Sequence, residues 1–218
     1  MKINDFSPAP TRGRPKMLDD TQRRQAIIEH AYRAFVELGF AQTSTAEVAQ
    51  RARISKRTLY EAFSDKKALF AAVISEYRHL LLDLPRPTDE RCSVKESLFR
   101  IFRLDIDNDE TLEREAILRL MTRESILFPE LSDYLYDTKA VKSRELLVEW
   151  LQKTAGDHGL FLEDVEILAG LLMDVVFGAL LPHRRLTSMK DRNRNKEHIK
   201  KRIEIILQGI GWLKNDFE

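Results

Sequence analysis

Two serines, Ser44 and Ser55, constrain this chain more than any other feature. Each stands where a short helical pattern begins, with a hydroxyl that accepts from a backbone N–H of the first turn. Ser44-Thr45-Ala46-Glu47 reads as a capping box, in which the serine accepts from the backbone and the glutamate reaches back. Val48, Ala49 and Ala52 give this helix its buried face, and it should end near Arg53. The next helix should run from Ser55 to about Phe63, with Leu59 and Phe63 on one face and Ile54 plugging the corner between the two. Two short helices on so tight a turn form a helix-turn-helix. The outward residues of the second helix's first turn are then Lys56, Arg57 and Thr58, where such a helix meets base edges in a major groove. Tyr60 has a phenol long enough to reach a phosphate. Thr45 stands at the preceding helix N-terminus, whose N–H groups attract phosphate. The plainer alternative is a half-buried core tyrosine beside a solvated Lys56-Arg57 face.

The remaining pattern is helical throughout. Apolar residues recur at helical spacing, and no run of alternating β-branched residues appears, so an all-α protein is expected. A first helix should run from about Asp20 to Leu38, with Ile27, Ala31, Ala34, Phe35 and Leu38 inward and Gly39 ending it. A fourth, after Ser64-Asp65, should continue to Leu82 on a stripe of Leu69, Val73, Tyr77 and Leu80, before Pro85 and Pro87 break the chain. Five more are expected over Val94–Asp107, Glu110–Ser125, Leu131–Ala155, Glu163–Leu181 and Asn195–Lys214. The division is a basic tail over 1–17, a helix-turn-helix head over 18–66 and a body over 67–218, with the fourth helix shared by head and body.

Charge supports this division. Residues 1–67 carry 13 Lys/Arg against 8 Asp/Glu, a balance of +5, and the rest carries −4. A basic head on an acidic body suits a polyanionic partner. In the tail, Arg12, Arg14 and Lys16 lie on a thin Pro- and Gly-bearing backbone that would fit a narrow minor groove, or would serve as a solvated tail with general phosphate attraction. Cys92 is the single cysteine, which excludes an intrachain disulfide. No signal peptide is read at the N-terminus, and the most apolar segment, Ile167 to Leu181, is too short to span a bilayer. A cytoplasmic protein without membrane contact is expected. The five histidines lack metal-ligand spacing, and neither a phosphate-cradling glycine loop nor a nucleophile elbow is present. Asp105-Ile106-Asp107-Asn108-Asp109 opens like a calcium loop, but it lacks the following glycine and has Ala116 where the twelfth-position glutamate belongs. No enzyme, metal or cofactor is expected.

Residues 23–70 resemble the DNA-binding domain of the TetR/AcrR family of repressors. The resemblance rests on Ala31–Phe35, Gly39-Phe40, Thr43 to Ala49, Ile54 to Tyr60, Phe63, Lys66 and Leu69-Phe70. It implies that Thr45, Thr58, Tyr60 and Lys66 contact phosphates. It also implies that Ala46, Lys56 and Arg57 sit where bases are read, with Ala46 limited to a methyl contact. Two positions depart from the family's pattern. Arg53 replaces the usual glycine between the two helices, and Ala62 replaces an aromatic residue or histidine before Phe63. A side chain at position 53 should carry a small strain.

The resemblance further implies a homodimer that binds a double-stranded, palindromic operator and is released by a small-molecule effector held in the body. Ile199, Ile203, Ile206, Ile210 and Leu213 are spaced as a heptad-like seam and are the expected dimer contacts, broadened by Ile205 and Trp212. The helix before it is apolar nearly all round and would share that interface, unless the last two helices simply complete a monomer core. Phe99, Phe102, Met121, Tyr134, Trp150, Met173 and Phe177 are candidate pocket residues, though residues of these types more often form ordinary core. Asp174 is a lone acid on an apolar helix; it would pair with an arginine across the dimer or meet a cationic ligand.

Overall fold

A computed structural model describes residues 19–87, 90–157, 164–181 and 188–212. Among these residues there are ten α-helices and no strand, as the periodicity requires. They are α1 (Asp20–Gln42), α2 (Thr45–Arg51), α3 (Lys56–Ala62), α4 (Lys66–Tyr77), α5 (Val94–Ile101), α6 (Asn108–Leu127), α7 (Pro129–Asp137), α8 (Ser143–Asp157), α9 (Val165–Leu180) and α10 (Met189–Gly209). A 3₁₀ turn, Arg78–Leu80, continues α4. Arg12, Arg14 and Leu213 lie outside the described residues.

The helix starts follow the caps. Ser44 accepts from the Glu47 N–H at 3.1 Å, Ser55 from the Thr58 N–H at 3.0 Å and Asp65 from the Ala68 N–H at 2.8 Å. The expected capping box at Ser44 is only half made. The Glu47 carboxylate turns instead to Arg51, at 2.7 Å, and Arg51 also reaches Glu37. A complete capping box opens α5, where Glu96 accepts from the Ser93 N–H at 3.0 Å.

Three helix stops share one geometry, and two of them were not expected. Arg53, Arg103 and Lys139 each adopt a left-handed φ, of 54°, 50° and 56°. Each closes a helix with the same pair of hydrogen bonds. Arg53 N–H donates to Gln50 and Ile54 N–H to Ala49; Arg103 to Arg100 and Leu104 to Phe99; Lys139 to Tyr136 and Ala140 to Leu135. This is the Schellman ending, with an apolar residue following the left-handed one. The stretch expected as one helix over Leu131–Ala155 is therefore two, α7 and α8, and the helix expected to reach Asp107 stops at Ile101. A buried arginine reinforces the second stop: Arg114 donates to the Phe102 and Arg103 carbonyls at 3.3 and 2.8 Å. Burial lowers its pKa to about 10, which leaves it charged at neutral pH.

One apolar core runs from head to body without a break. Phe35 and Phe40 of α1, Phe70 of α4 and Phe128 between α6 and α7 stack edge to face, with centroids 5.1 to 5.6 Å apart along the chain of contacts. Leu38 departs from expectation. It lies outside this cluster and is exposed, because the chain kinks at Gly39 and Phe40 takes the inward place. The expected dimer seam is also corrected. Ile199 and Ile203 are fully buried within the protomer, alongside Leu207, and Trp212 is buried too. Ile206 and Ile210 are half-buried. The heptad-like stripe is the inner face of α10. The exposed apolar residues of the last two helices are instead Ile167 and Leu171 on α9 and Ile205 on α10, at 65%, 46% and 58% exposure.

The segment between α4 and α5 is pinned by charge. Arg86 pairs with both Asp83 and Glu90, and Arg100 adds a 2.8 Å contact to Glu90. The Arg86 hydrogen bond, opposed by burial and aided by Arg100, draws the Glu90 carboxyl down from 4.5 to about 2. A depressed carboxyl stabilises the fold above its unfolded value and ceases to do so as pH falls through its folded value. Thermal melts should therefore show Glu90→Gln less stable than the native chain above about pH 5, with the difference closing as pH approaches about 2.

Candidate nucleic-acid interface and effector cavity

The head presents α3 as designed by its two caps. Lys56 and Arg57 are exposed on the first turn, Arg57 leaning on Glu61 at 3.0 Å. Leu59 and Phe63 are buried beneath them. Thr45 and Tyr60, singled out separately as phosphate contacts, meet: their hydroxyl oxygens are 3.0 Å apart, joining the N-terminus of α2 to the middle of α3. Tyr60 is half exposed, so the bonded pair faces solvent beside Lys56 and Arg57. Ala46 is half-buried, and Thr58 is too, its hydroxyl 2.9 Å from that of Ser55. Arg53 takes the left-handed φ anticipated for a turn that usually carries glycine.

Lys66 is placed differently. Its ammonium donates to the Phe40 carbonyl at 2.8 Å and the Ala41 carbonyl at 3.3 Å, and lies 4.3 Å from the Phe40 ring centre. It caps the end of α1. Burial lowers its pKa, against the opposing charge of Glu124. Arg24 was missed by sequence reasoning. It donates to the Ala62 carbonyl at 2.6 Å and covers the Phe63 ring, tying α1 to the end of α3. Its signal was faint, since an arginine on a helix face ordinarily reads as solvated.

Behind the head lies a cavity of about 510 Å³ in the body. Of the candidate lining residues, Met121, Met173, Asp174 and Phe177 line it. Phe99, Phe102, Tyr134 and Trp150 do not. Phe102 is fully buried core against Phe177, Phe99 sits near Lys200, Tyr134 packs against the core, and Trp150 lines a separate groove near Pro85 and Cys92. Asp174 is exposed at the cavity and is not the buried acid expected on α9. The wall also includes Phe70 of α4 and Glu124 of α6, and neither was anticipated. Glu124 is 2% exposed and accepts from Arg123 at 2.7 Å. Arg123 in turn donates to the Phe35 carbonyl of α1 at 3.2 Å. The cavity wall thus touches the head at two places: through Phe70, and through the Glu124-Arg123 pair.

A helix-turn-helix head with its recognition turn exposed, fused to a helical body, defines a DNA-binding transcriptional regulator. Residues 27–73 match the family model described as bacterial regulatory proteins, tetR family. The head is thus similar to the DNA-binding head of that family. It is 25% identical over 159 residues to YvkB of Bacillus subtilis, an uncharacterised HTH-type transcriptional regulator, covering 72% of this chain and 80% of that one. Over 67 residues it is 36% identical to the HTH-type transcriptional repressor ComR of Escherichia coli, covering 31% of this chain and 30% of ComR. The structure of Salmonella enterica GusR shares the fold, with a TM-score of 0.67 at 20% identity over 89% of this chain and 97% of that one.

Gly39 holds the junction. Its φ of 84° and ψ of 168° suit glycine alone, and an added Cβ would lie 3.0 Å from Arg123 Nη2 and 3.2 Å from Glu124 Oε1. Gly39→Ala should lower stability by roughly 1–3 kcal/mol in denaturant melts. Gly156→Ala, where the new methyl meets open space, should leave stability within about 0.5 kcal/mol or raise it.

Proposed function

We propose that the chain is a dimeric repressor that reads a palindromic operator through α3 and leaves it when a small molecule enters the body cavity. The observation that carries this reading is the exposed Lys56-Arg57 turn set beside the bonded Thr45 and Tyr60 hydroxyls. Lysine and arginine donate well to guanine O6 and N7, while a hydroxyl pair on a helix N-terminus suits a phosphate. Thr58 and Lys66 add backbone contacts only if they share donors now used within the head, and Ala46 offers a methyl. Arg12 and Arg14 would extend the contact into the minor groove. Repression is favoured by the likeness of the head to ComR, which is named a repressor. Such a regulator works in the cytoplasm, where the chromosome is. Among the described residues, no helix is long and apolar enough to cross a membrane.

Two copies are needed to meet two half-sites. The face available for pairing is the exposed strip of Ile167, Leu171 and Ile205 across α9 and α10. Release follows from Phe70, which belongs to the cavity wall and to the aromatic stack under the head. A ligand pressing on Phe70 displaces α4, and with it the spacing of the two recognition helices. On this reading the head spans 18–66 and the body 67–218, with α4 as the lever between them.

Operator fragments selected from genomic DNA supply the assay. Lys56→Ala or Arg57→Ala should weaken binding to the selected sequence by roughly 1–3 kcal/mol while sparing non-specific binding, as read in gel shifts. Equal loss on every sequence would remove them from base readout. Leu171→Asp combined with Ile205→Asp should turn a dimer into a monomer in sedimentation; an unchanged dimer would place the interface elsewhere.

A further inference from the structure

The cavity's charge is one-sided. Among the described residues its two charged lining residues are both acids, Glu124 and Asp174, and no lysine or arginine lines it. The remaining surface is largely apolar, with the aromatic rings of Phe70, Tyr136 and Phe177. Glu124 is the telling member. It is almost fully buried, yet its single hydrogen bond among the described residues, from Arg123 Nε, engages only one carboxylate oxygen. A buried carboxylate that keeps one oxygen free beside an apolar cavity is costly to cover with a neutral ligand, even with Arg123 and the nearby Lys66 offsetting part of its charge. An apolar cation meets the charge, and the rings favour it further. The volume of about 510 Å³ suits a drug-sized molecule.

We infer that the cavity takes a monovalent organic cation with a bulky apolar body, its charge met by Glu124 and, at the mouth, by Asp174. The inference rests on the reading of this cavity as the effector site and names the ligand class. It also gives the ligand a second route to the head. A cation drawn to Glu124 competes with Arg123, the residue that joins the body to the Phe35 carbonyl of α1.

Calorimetric titration of the full chain with three probes of similar shape tests this: tetraphenylphosphonium, neutral triphenylphosphine oxide and anionic tetraphenylborate. The cation should bind at least about tenfold more tightly than the neutral probe, the difference expected of one close charge pair in a partly buried site, and the anion should bind least. Glu124→Gln should abolish that preference. Should the loss of the Arg123 pair unfold that variant, the exposed Asp174→Asn change should still reduce it. Gly178→Trp, which adds bulk at a lining position where a Cβ meets open space, should block all cavity binding. Equal binding of the cation and the neutral probe, both lost in Gly178→Trp, would overturn the charge assignment and leave the effector cavity standing. Cation binding untouched by Gly178→Trp, or no binding of any probe, would overturn both.

Discussion

The kink at Gly39 is the constraint on which the rest of the structure depends. A backbone conformation open to glycine alone turns Phe40 inward, under Phe35 and against Phe70 and Phe128. It also exposes the Phe40 and Ala41 carbonyls to Lys66 and brings Arg123 and Glu124 within van der Waals reach of the main chain. Thr43, fully buried, completes the turn by donating to the Gly39 and Ala34 carbonyls at 2.7 and 3.1 Å.

The head was legible because its signals are local and polar. Serine and aspartate caps announce helix starts, and Ser44, Ser55 and Asp65 do so here with hydrogen bonds of 2.8 to 3.1 Å. Lys56 and Arg57 could be placed outward because Leu59 and Phe63 fix which face is inward. The Thr45–Tyr60 bond was not readable, though both residues were marked, since it depends on the angle between two helices.

The body was less legible for two physical reasons. Its helix stops at Phe102 and Thr138 are followed by Arg103 and Lys139 in a left-handed conformation that usually signals glycine, so nothing in the local composition marks the break. A basic residue there is nonetheless favourable beside the negative end of a helix dipole. The second reason is that apolar spacing reveals a face but not its partner. Ile199 and Ile203 have the period of a subunit seam, and the protomer's own core takes them. Cavity residues fail in the same way: Phe102 and Met121 look alike in sequence, and only packing separates filler from wall.

The internal pairing of the head's cations has a consequence for ionic strength. Arg23 meets Asp20, Arg33 meets Glu29, Arg51 meets Glu37 and Glu47, and Arg57 meets Glu61, while Arg24 and Lys66 are spent on carbonyls and rings. Affinity for a duplex falls with added salt in proportion to the phosphates a protein neutralises, because each neutralised phosphate releases condensed counterions. A surface whose positive groups are already half compensated displaces few of them. If α3 meets a duplex as proposed, the described head should hold arbitrary DNA weakly and with a shallow salt curve, leaving discrimination to the exposed Lys56-Arg57 turn.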